Sequence, residues 1–266
     1  MALINCNFYS EALEVGTTVT VILPENAGGQ VGIDGNEESG KPSVLYLLHG
    51  LTDDQTIWQR MTSIERYVSS MNLAVIMPTT GRGFYTDMKE GYRYWQFISE
   101  ELPDKMQSFF NVSTKREDTF VAGLSMGGYG AIKLMLSKPD KFCVGATLSG
   151  AVDLASLYYT RDTLSVEELQ RIVGTKEELV GSENDLFHLI EELKKNNIDI
   201  PKIYSVCGKD DVLCLGGNRN FKNFCIDNGV DIEYYEHEGD HNWEFWDRYI
   251  QDVLEWLPIR KEGKNV

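Results

Sequence analysis

A single serine lies among glycines in the segment GLSMG, residues 123–127, which follows an apolar run and precedes a helical pattern. The segment fits G-x-S-x-G, in which a tight strand-to-helix turn lifts a nucleophilic serine above a sheet. The glycines at 123 and 127 fit such a turn, because larger side chains would collide where strand and helix close around it. N–H groups at the start of the helix would stabilise an oxyanion formed at Ser125. The pattern therefore predicts nucleophilic chemistry at Ser125.

A serine nucleophile needs a base to remove its proton, and the base needs an acid to orient it. Among the four histidines, His241 lies in EGDHNW, between the last predicted strand and the last predicted helix, so its imidazole can reach over the strand ends. We predict that His241 is the base. His237 belongs to the alternating strand DIEYYEH and is expected to pack or face solvent, and His188 is assigned no role. Without such partners, the glycine-rich turn would only pack well or cradle a phosphate.

Adjacent carboxylates compete for the role of the acid. The acid is expected after the apolar segment IYSV, where the chain reads CGKDD, residues 207–211. Asp210 and Asp211 are expected to point in different directions, so only one of them can orient His241. Asp240 is a third candidate, but a residue next to His241 in sequence is badly placed to hold its ring. From position alone, the choice between Asp210 and Asp211 stays open.

A second loop is expected to complete the site. His49-Gly50-Leu51 follows the apolar strand SVLYLL, at the place where an oxyanion loop begins. We predict that His49 braces this loop and that the backbone N–H groups of Leu51 and Met126 face the developing oxyanion. This chemistry requires neither a metal nor an organic cofactor.

Bulky aromatic residues near these motifs would form the walls of an acyl pocket if their segments meet above Ser125. The candidates for these walls are Trp58, Phe84, Tyr85, Tyr92, Tyr94, Trp95 and Trp243. Of these, the predicted substrate-binding residues are Trp58, Tyr92, Trp95 and Trp243. Such walls would close the pocket at short depth, which favours small acyl groups.

Strands and helices alternate along the chain. Strands are predicted at residues 4–9, 17–23, 43–48, 74–77, 119–124, 143–148, 202–207 and 231–237. Helices are predicted at residues 63–71 and 95–110, after Ser125, and at 166–173, 185–195, 219–227 and 243–256. This alternation predicts an α/β fold with a mostly parallel central sheet, covered by helices on both faces, and an antiparallel edge at the first two strands.

Length and charge restrict the classes of protein that fit. The 266 residues, 42% of them hydrophobic, suit one domain over 1–266, with a surface loop at 25–42 and a small helical cap inserted at about 153–197. A net charge of −16 disfavours nucleic acids and anionic membranes as partners. No secretion signal or membrane span is evident, and the five cysteines lack metal-ligand spacing. We therefore expect a cytoplasmic protein that acts on a small molecule, with homo-oligomerisation left open.

Four motifs together resemble one enzyme family. They are HGLTD at 49–53, GLSMGGYGA at 123–131, CGKDDVL at 207–213 and GDHNW at 239–243. The chain resembles the esterase D-like α/β hydrolases, and more closely the bacterial tributyrin esterases. The resemblance implies a serine carboxylesterase that hydrolyses short-chain acyl esters through an acyl-enzyme on Ser125. In the family, the acid is the aspartate of G-x-x-D, which falls on Asp211. Relatives often have glycine where this chain has Asp53.

Several functions share this constellation of residues. The alternatives are a thioesterase such as an S-formylglutathione hydrolase, and a feruloyl or acetyl-xylan esterase. A different class is a non-catalytic binding protein on the same fold, although such proteins usually lack part of the triad. A panel of esters with different acyl and leaving groups would separate these functions.

Overall fold

Parallel strands dominate the sheet at the centre of the protein. The structure, a computed structural model, describes residues 1–25, 29, 31–32, 35–36, 40–158 and 164–259. The predicted loop at 25–42 and the predicted cap at 153–197 therefore lie partly outside the described residues. Within the described residues, the strands are β1 Ala2–Ser10, β2 Val15–Leu23, β3 Ser43–Leu48, β4 Leu73–Pro78, β5 Thr119–Leu124, β6 Val144–Leu148, β7 Lys202–Gly208 and β8 Ile232–His237.

The strand order explains why the motifs come together. It is β1-β2-β4-β3-β5-β6-β7-β8, with β1, β2 and β4 paired antiparallel and the remaining neighbours parallel. Side chains of β1 alternate between intermediate and exposed, as predicted for an edge strand. Strands β3, β5 and β7 all run the same way, so the loops that follow them open at one edge of the sheet.

Helices cover both faces. They are α1 Ile57–Met61, α2 Ile64–Tyr67, α3 Tyr94–Gln96, α4 Leu102–Phe109, α5 Met126–Ser137, α6 Leu154–Leu157, α7 Val166–Val173, α8 Lys176–Leu179, α9 Leu186–Lys195, α10 Leu215–Asp227 and α11 Trp243–Trp256. A π-helical turn, Phe97–Glu101, joins α3 to α4, and a 3₁₀ turn, Arg116–Asp118, precedes β5.

The core has two apolar layers, one on each face of the sheet. Along β3, Val44 and Tyr46 pack into the layer with Ile132 of α5, whereas Leu45 packs into the other layer with Ile250 of α11. Because successive side chains of a strand point to opposite faces, a strand buried on both sides needs a continuous apolar run. The predicted α/β fold with helices on both faces is confirmed.

Two helix predictions need correction. The helix predicted at 63–71 is only Ile64–Tyr67. The segment SSMN at 69–72 contains serine and asparagine, which have low helix propensity. The helix predicted from residue 219 begins at Leu215. Glycines at 216 and 217 weaken the helical pattern, but a Cβ on Gly217 would lie 3.1 Å from the Cβ of Asp153, so close packing accounts for one of them.

A lysine is buried on α5. The side chain of Lys133 is 1% exposed, donates a hydrogen bond from Nζ to Asn184 Oδ1 at 2.7 Å, and lies 4.2 Å from the centre of the Trp95 ring. Burial lowers the pKa of Lys133 to about 7, although Glu183 and Asp87 act in the opposite direction. The amine is therefore partly neutral under ordinary assay conditions.

Replacement of Lys133 by methionine should change how stability depends on pH. Because the pKa of Lys133 is depressed in the folded state, the unfolded chain binds more protons between pH about 7 and 10.5, so stability rises with pH across that window. Lys133→Met should remove this rise and increase the free energy of unfolding near neutral pH by about 1 to 4 kcal/mol. Urea unfolding at several pH values measures both effects. Lys138→Met, just beyond the end of the same helix, is the control. If the free energy of unfolding of Lys133→Met and of the wild type depended on pH in the same way, the depressed pKa of Lys133 would be refuted.

Candidate active site

Ser125 occupies a strained turn between β5 and α5. Its φ of 50° and ψ of −118° lie where glycine is favoured and other residues are rare. The turn is held by backbone hydrogen bonds, in which the Ser125 N–H donates to Leu148 O at 3.0 Å and Ser125 O accepts from Tyr129 N at 3.1 Å and Ala151 N at 3.0 Å. Strain of about 1 to 3 kcal/mol persists where the surroundings enforce it, and such positions cluster at active sites.

The glycines beside Ser125 have the steric role that the sequence predicts. A Cβ on Gly123 would lie 2.3 Å from Gly127 O, and a Cβ on Gly127 would lie 2.5 Å from Leu48 O. Both distances are far below van der Waals contact and involve backbone atoms that cannot move aside. The close approach of α5 to β3 and β5 therefore requires glycine at both positions.

The structure brings the predicted nucleophile, base and acid into one chain of hydrogen bonds. His241 Nε2 lies 3.0 Å from Ser125 Oγ, and His241 Nδ1 lies 2.8 Å from Asp211 Oδ2. Since a carboxylate only accepts hydrogen bonds, Nδ1 carries the ring proton and Nε2 is free to accept the proton of the serine hydroxyl. The His241 and Trp246 rings are also in perpendicular contact, with 4.9 Å between ring centres.

Asp211 is fully buried and well supplied with donors. Its Oδ1 accepts from Leu213 N at 3.1 Å and from Cys214 N at 2.9 Å, which leaves Oδ2 for His241. Burial alone would raise the pKa of Asp211, but the hydrogen bond from His241 and the N–H of Cys214 hold the pKa of this carboxyl below its usual range. Asp211 is therefore ionised when His241 needs a countercharge.

The competing carboxylates lie elsewhere. Asp210 is exposed, and its backbone N–H donates to Gly239 O at 3.0 Å. Asp240 Oδ1 accepts from the backbone N–H of His241 at 2.7 Å, so it fixes the backbone of the histidine and not its ring. This contact to the backbone of His241 could not be read from the sequence, because it depends on the local turn.

His49 holds the second loop in place. It is buried, its Nδ1 donates to Gly50 O at 2.7 Å, and its Nε2 accepts from Thr80 N at 3.1 Å. Burial lowers the pKa of His49 to about 4, so the ring stays neutral and can keep accepting from Thr80. The Tyr85 hydroxyl donates to His49 O at 3.0 Å. The loop that contains Leu51 is thus tied to the end of β4.

A cavity of about 380 Å³ opens above Ser125. Its polar lining includes Ser125, Thr52, Asp53, His241 and Asn242, and Leu51 of the second loop also lies in the wall. Its other large apolar lining residues are Phe84, Leu124, Leu157, Leu164, Leu213, Trp243 and Trp246. Met126, which follows the serine, is the first residue of α5 and is buried.

Three of the four predicted substrate-binding aromatics lie outside this cavity. Trp243 lines it, but Trp58 is buried behind Trp243, with its indole N–H donating to Leu48 O at 3.0 Å. Tyr92 is exposed beside a different cavity, and Trp95 covers the amine of Lys133. The structure therefore brings Trp243, but not Trp58, Tyr92 or Trp95, into the cavity above Ser125.

Trp246 is the aromatic residue of the cavity that the sequence did not lead us to expect. It lies three residues after Trp243, within one helical turn of α11, and both rings reach the cavity. Because residues at i and i+3 share a face of a helix, the position of Trp243 could have indicated Trp246.

In the described part of the chain, one group of side chains has the ligand types and spacing of a metal site. Asp211, Cys214 and His241 offer ligand atoms within 4.8 Å of one another, but Asp211 and His241 already hydrogen bond to each other. The five cysteines form no disulfide bond with one another. No helix among the described residues is long and apolar enough to cross a membrane.

Comparison with known proteins identifies the family. A family model described as "Putative esterase" matches residues 10–257. The chain belongs to this esterase family. An acetyl esterase of Caldicellulosiruptor saccharolyticus is 35% identical to this esterase, over 97% of this chain and 98% of the relative.

Solved structures of relatives extend the similarity to three dimensions. The substrate-bound fluorophosphonate-binding serine hydrolase FphF of Staphylococcus aureus has a TM-score of 0.86 and 33% identity, over 98% of this chain and 99% of the other. An S-formylglutathione hydrolase, FrmB, from the same organism has a TM-score of 0.83 and 34% identity, over 96% and 98% of the two chains. The predicted resemblance to α/β-hydrolase esterases is confirmed, and the protein is a serine hydrolase of carboxylic esters.

Proposed function

We propose that this esterase hydrolyses esters of short-chain carboxylic acids, above all acetyl esters, through an acyl-enzyme on Ser125. The observation that carries the proposal is the hydrogen-bonded series Asp211–His241–Ser125, which ends in the cavity above the serine. The similarity to an acetyl esterase supports the choice of acyl group.

The first half of the reaction forms the acyl-enzyme. Ser125 Oγ attacks the ester carbonyl while His241 Nε2 takes its proton, and ionised Asp211 stabilises the resulting imidazolium. The backbone N–H groups of Leu51 and Met126 are proposed to hold the oxyanion. Met126 follows the serine at the start of α5, where the helix adds partial positive charge. Leu51 lines the same cavity as Ser125. The tetrahedral intermediate collapses as His241 returns the proton to the leaving alcohol.

Water completes the cycle. His241 removes a proton from a water molecule, which attacks the acyl carbonyl, and a second tetrahedral intermediate collapses to release the acid and restore the Ser125 hydroxyl. Each proton transfer in these steps uses a side chain that the structure places beside the serine.

The segment between β6 and β7 is proposed to act as a cap. Leu157 and Leu164, which flank its undescribed residues, both line the cavity above Ser125. Their side chains would limit the depth of the acyl pocket, as would Phe84 from the loop after β4. The cap would therefore set the length of acyl chain that fits.

The acyl-chain preference can be measured directly. With p-nitrophenyl esters of increasing acyl length, kcat/KM should be highest for acetyl to butyryl and should fall roughly tenfold or more by octanoyl, because extra methylenes no longer fit. The Ser125→Ala variant provides the blank. A rate that rises steadily toward long chains would contradict the proposed short pocket.

Hydrolysis of the thioester S-formylglutathione is the second candidate function, because the chain is 34% identical to the S-formylglutathione hydrolase FrmB. The triad would serve either substrate, since both reactions pass through the same acyl-enzyme chemistry. Rates with S-formylglutathione and with an aryl acetate, measured side by side, would decide between them.

Location and assembly are proposed from fewer observations. The five cysteines, which form no disulfide, support a reducing compartment, which we take to be the cytoplasm. A homo-oligomer stays a prediction that size-exclusion chromatography with light scattering would test.

A further inference from the structure

Among the residues that the structure describes in the lining of the cavity above Ser125, Asp53 supplies the one carboxylate, and none of them is a lysine or an arginine. The position belongs to the loop after β3, where Asp53 N donates to Gly50 O at 3.3 Å and closes a turn. That turn fixes the backbone of Asp53, and with it the point from which the side chain leaves the loop.

The carboxylate lies close to the nucleophile. A Cβ on Gly50 would be 3.0 Å from Asp53 Oδ2 and 3.8 Å from Ser125 Cβ, so carboxylate and serine flank the same point of the cavity wall. A substrate whose carbonyl reaches Ser125 therefore comes close to this oxygen.

Nothing described around Asp53 neutralises its charge. Burial raises the pKa of the Asp53 carboxyl and the nearby carboxylate of Asp54 adds to this, while hydrogen bonds from the Gly50 backbone and the Thr52 hydroxyl act in the opposite direction. Because the side chain is partly buried, water and salt screen its charge less than they screen an exposed one. A negative group on a bound substrate would therefore be repelled, while a hydroxyl could donate to the carboxylate.

We propose that Asp53 determines specificity by rejecting esters with a negative charge near the scissile bond and favouring uncharged, hydroxyl-bearing or cationic alcohols. The proposal rests on the esterase function proposed above and narrows its substrate class. Esters of anionic phenols or hydroxy acids fall on the rejected side, whereas acetylated sugars and glycerides fall on the favoured side.

The test uses three aryl acetates that differ in charge. They are 4-acetoxybenzoate, its neutral methyl ester, and an acetoxyphenyl trimethylammonium salt, and kcat/KM is measured for each with the wild type and Asp53→Asn. Loss of the charge should raise kcat/KM for the anion about tenfold relative to the neutral ester, and lower it several-fold for the cation. Dividing the kcat/KM of the variant by that of the wild type for each ester removes the intrinsic reactivity of that ester from the comparison.

A matched control separates the local charge from the overall charge of the protein. Asp54→Asn removes the same formal charge, but Asp54 is exposed, hydrogen bonds to Thr56, and does not line the cavity. It should change the anion-to-neutral ratio less than about twofold, because exposed charges are largely screened.

A structural role for Asp53 would give a different result. If the side chain only held the loop, Asp53→Asn would change all three rates by one common factor, which would overturn the proposal. Asp53→Ser, which also lacks the charge, should reproduce the shift in ratio if the Asn variant folds poorly. If the wild type hydrolyses none of the acetates, the proposed function itself fails, and not the role of Asp53.

Discussion

Ser125→Ala should lower kcat for aryl acetates by about 10⁶-fold and leave the fold intact. The hydroxyl makes one side-chain hydrogen bond, to His241, while the backbone N–H and C=O of residue 125 hold the turn and are unchanged by the substitution. The free energy of unfolding should therefore change by less than about 0.5 kcal/mol. Steady-state kinetics and urea unfolding measure the two quantities.

A glycine at the same position separates catalysis from strain. Ser125→Gly should be as inactive as Ser125→Ala, but more stable than it by about 1 kcal/mol, because glycine tolerates a φ of 50°. Ser137→Ala, at the other end of α5, should keep wild-type kinetics. Wild-type turnover in Ser125→Ala would remove the serine from the mechanism.

Asp211→Asn should lower kcat by about 10³- to 10⁴-fold with little change in KM. The N–H groups of Leu213 and Cys214 require an acceptor, so the amide oxygen of the introduced asparagine must replace Oδ1 and its NH₂ group must face His241. An NH₂ group cannot accept from Nδ1, so the ring proton moves to Nε2. In that tautomer, Nε2 cannot take the proton of Ser125.

Asp210→Asn is the matched control. Asp210 is exposed and adjacent in sequence, so loss of its charge should cost at most about tenfold, through a small change in the field at His241. The reverse ranking of the two variants would transfer the role of the acid to Asp210 while leaving Ser125 as the nucleophile.

The sequence locates some site residues better than others, for physical reasons. Ser125 and its flanking glycines form a local pattern, and His241 stands between a strand and a helix whose periodicities are clear. The choice between Asp210 and Asp211 depends on how the chain turns after β7, which adjacent residues of one type do not reveal. The resemblance to a family supplied that choice, and the structure places Asp211 against His241.

The cavity walls were harder to predict than the sheet. Helices α7 and α11 have the bounds predicted, because their apolar faces repeat with helical spacing and each follows a side-chain N-cap. Trp58 and Tyr92, in contrast, lie in short or irregular segments, whose orientation is set by tertiary packing. Aromatic residues near a motif in sequence therefore say little about which rings face the substrate.

Covalent labelling tests the central claim most directly. A fluorophosphonate that reacts with activated serines should add once to the wild-type protein, and peptide mapping by mass spectrometry should place the adduct on Ser125. The Ser125→Ala variant should remain unmodified, and Asp211→Asn should label far more slowly. An adduct on any other serine, or undiminished labelling of Ser125→Ala, would contradict the account of Ser125 as the nucleophile.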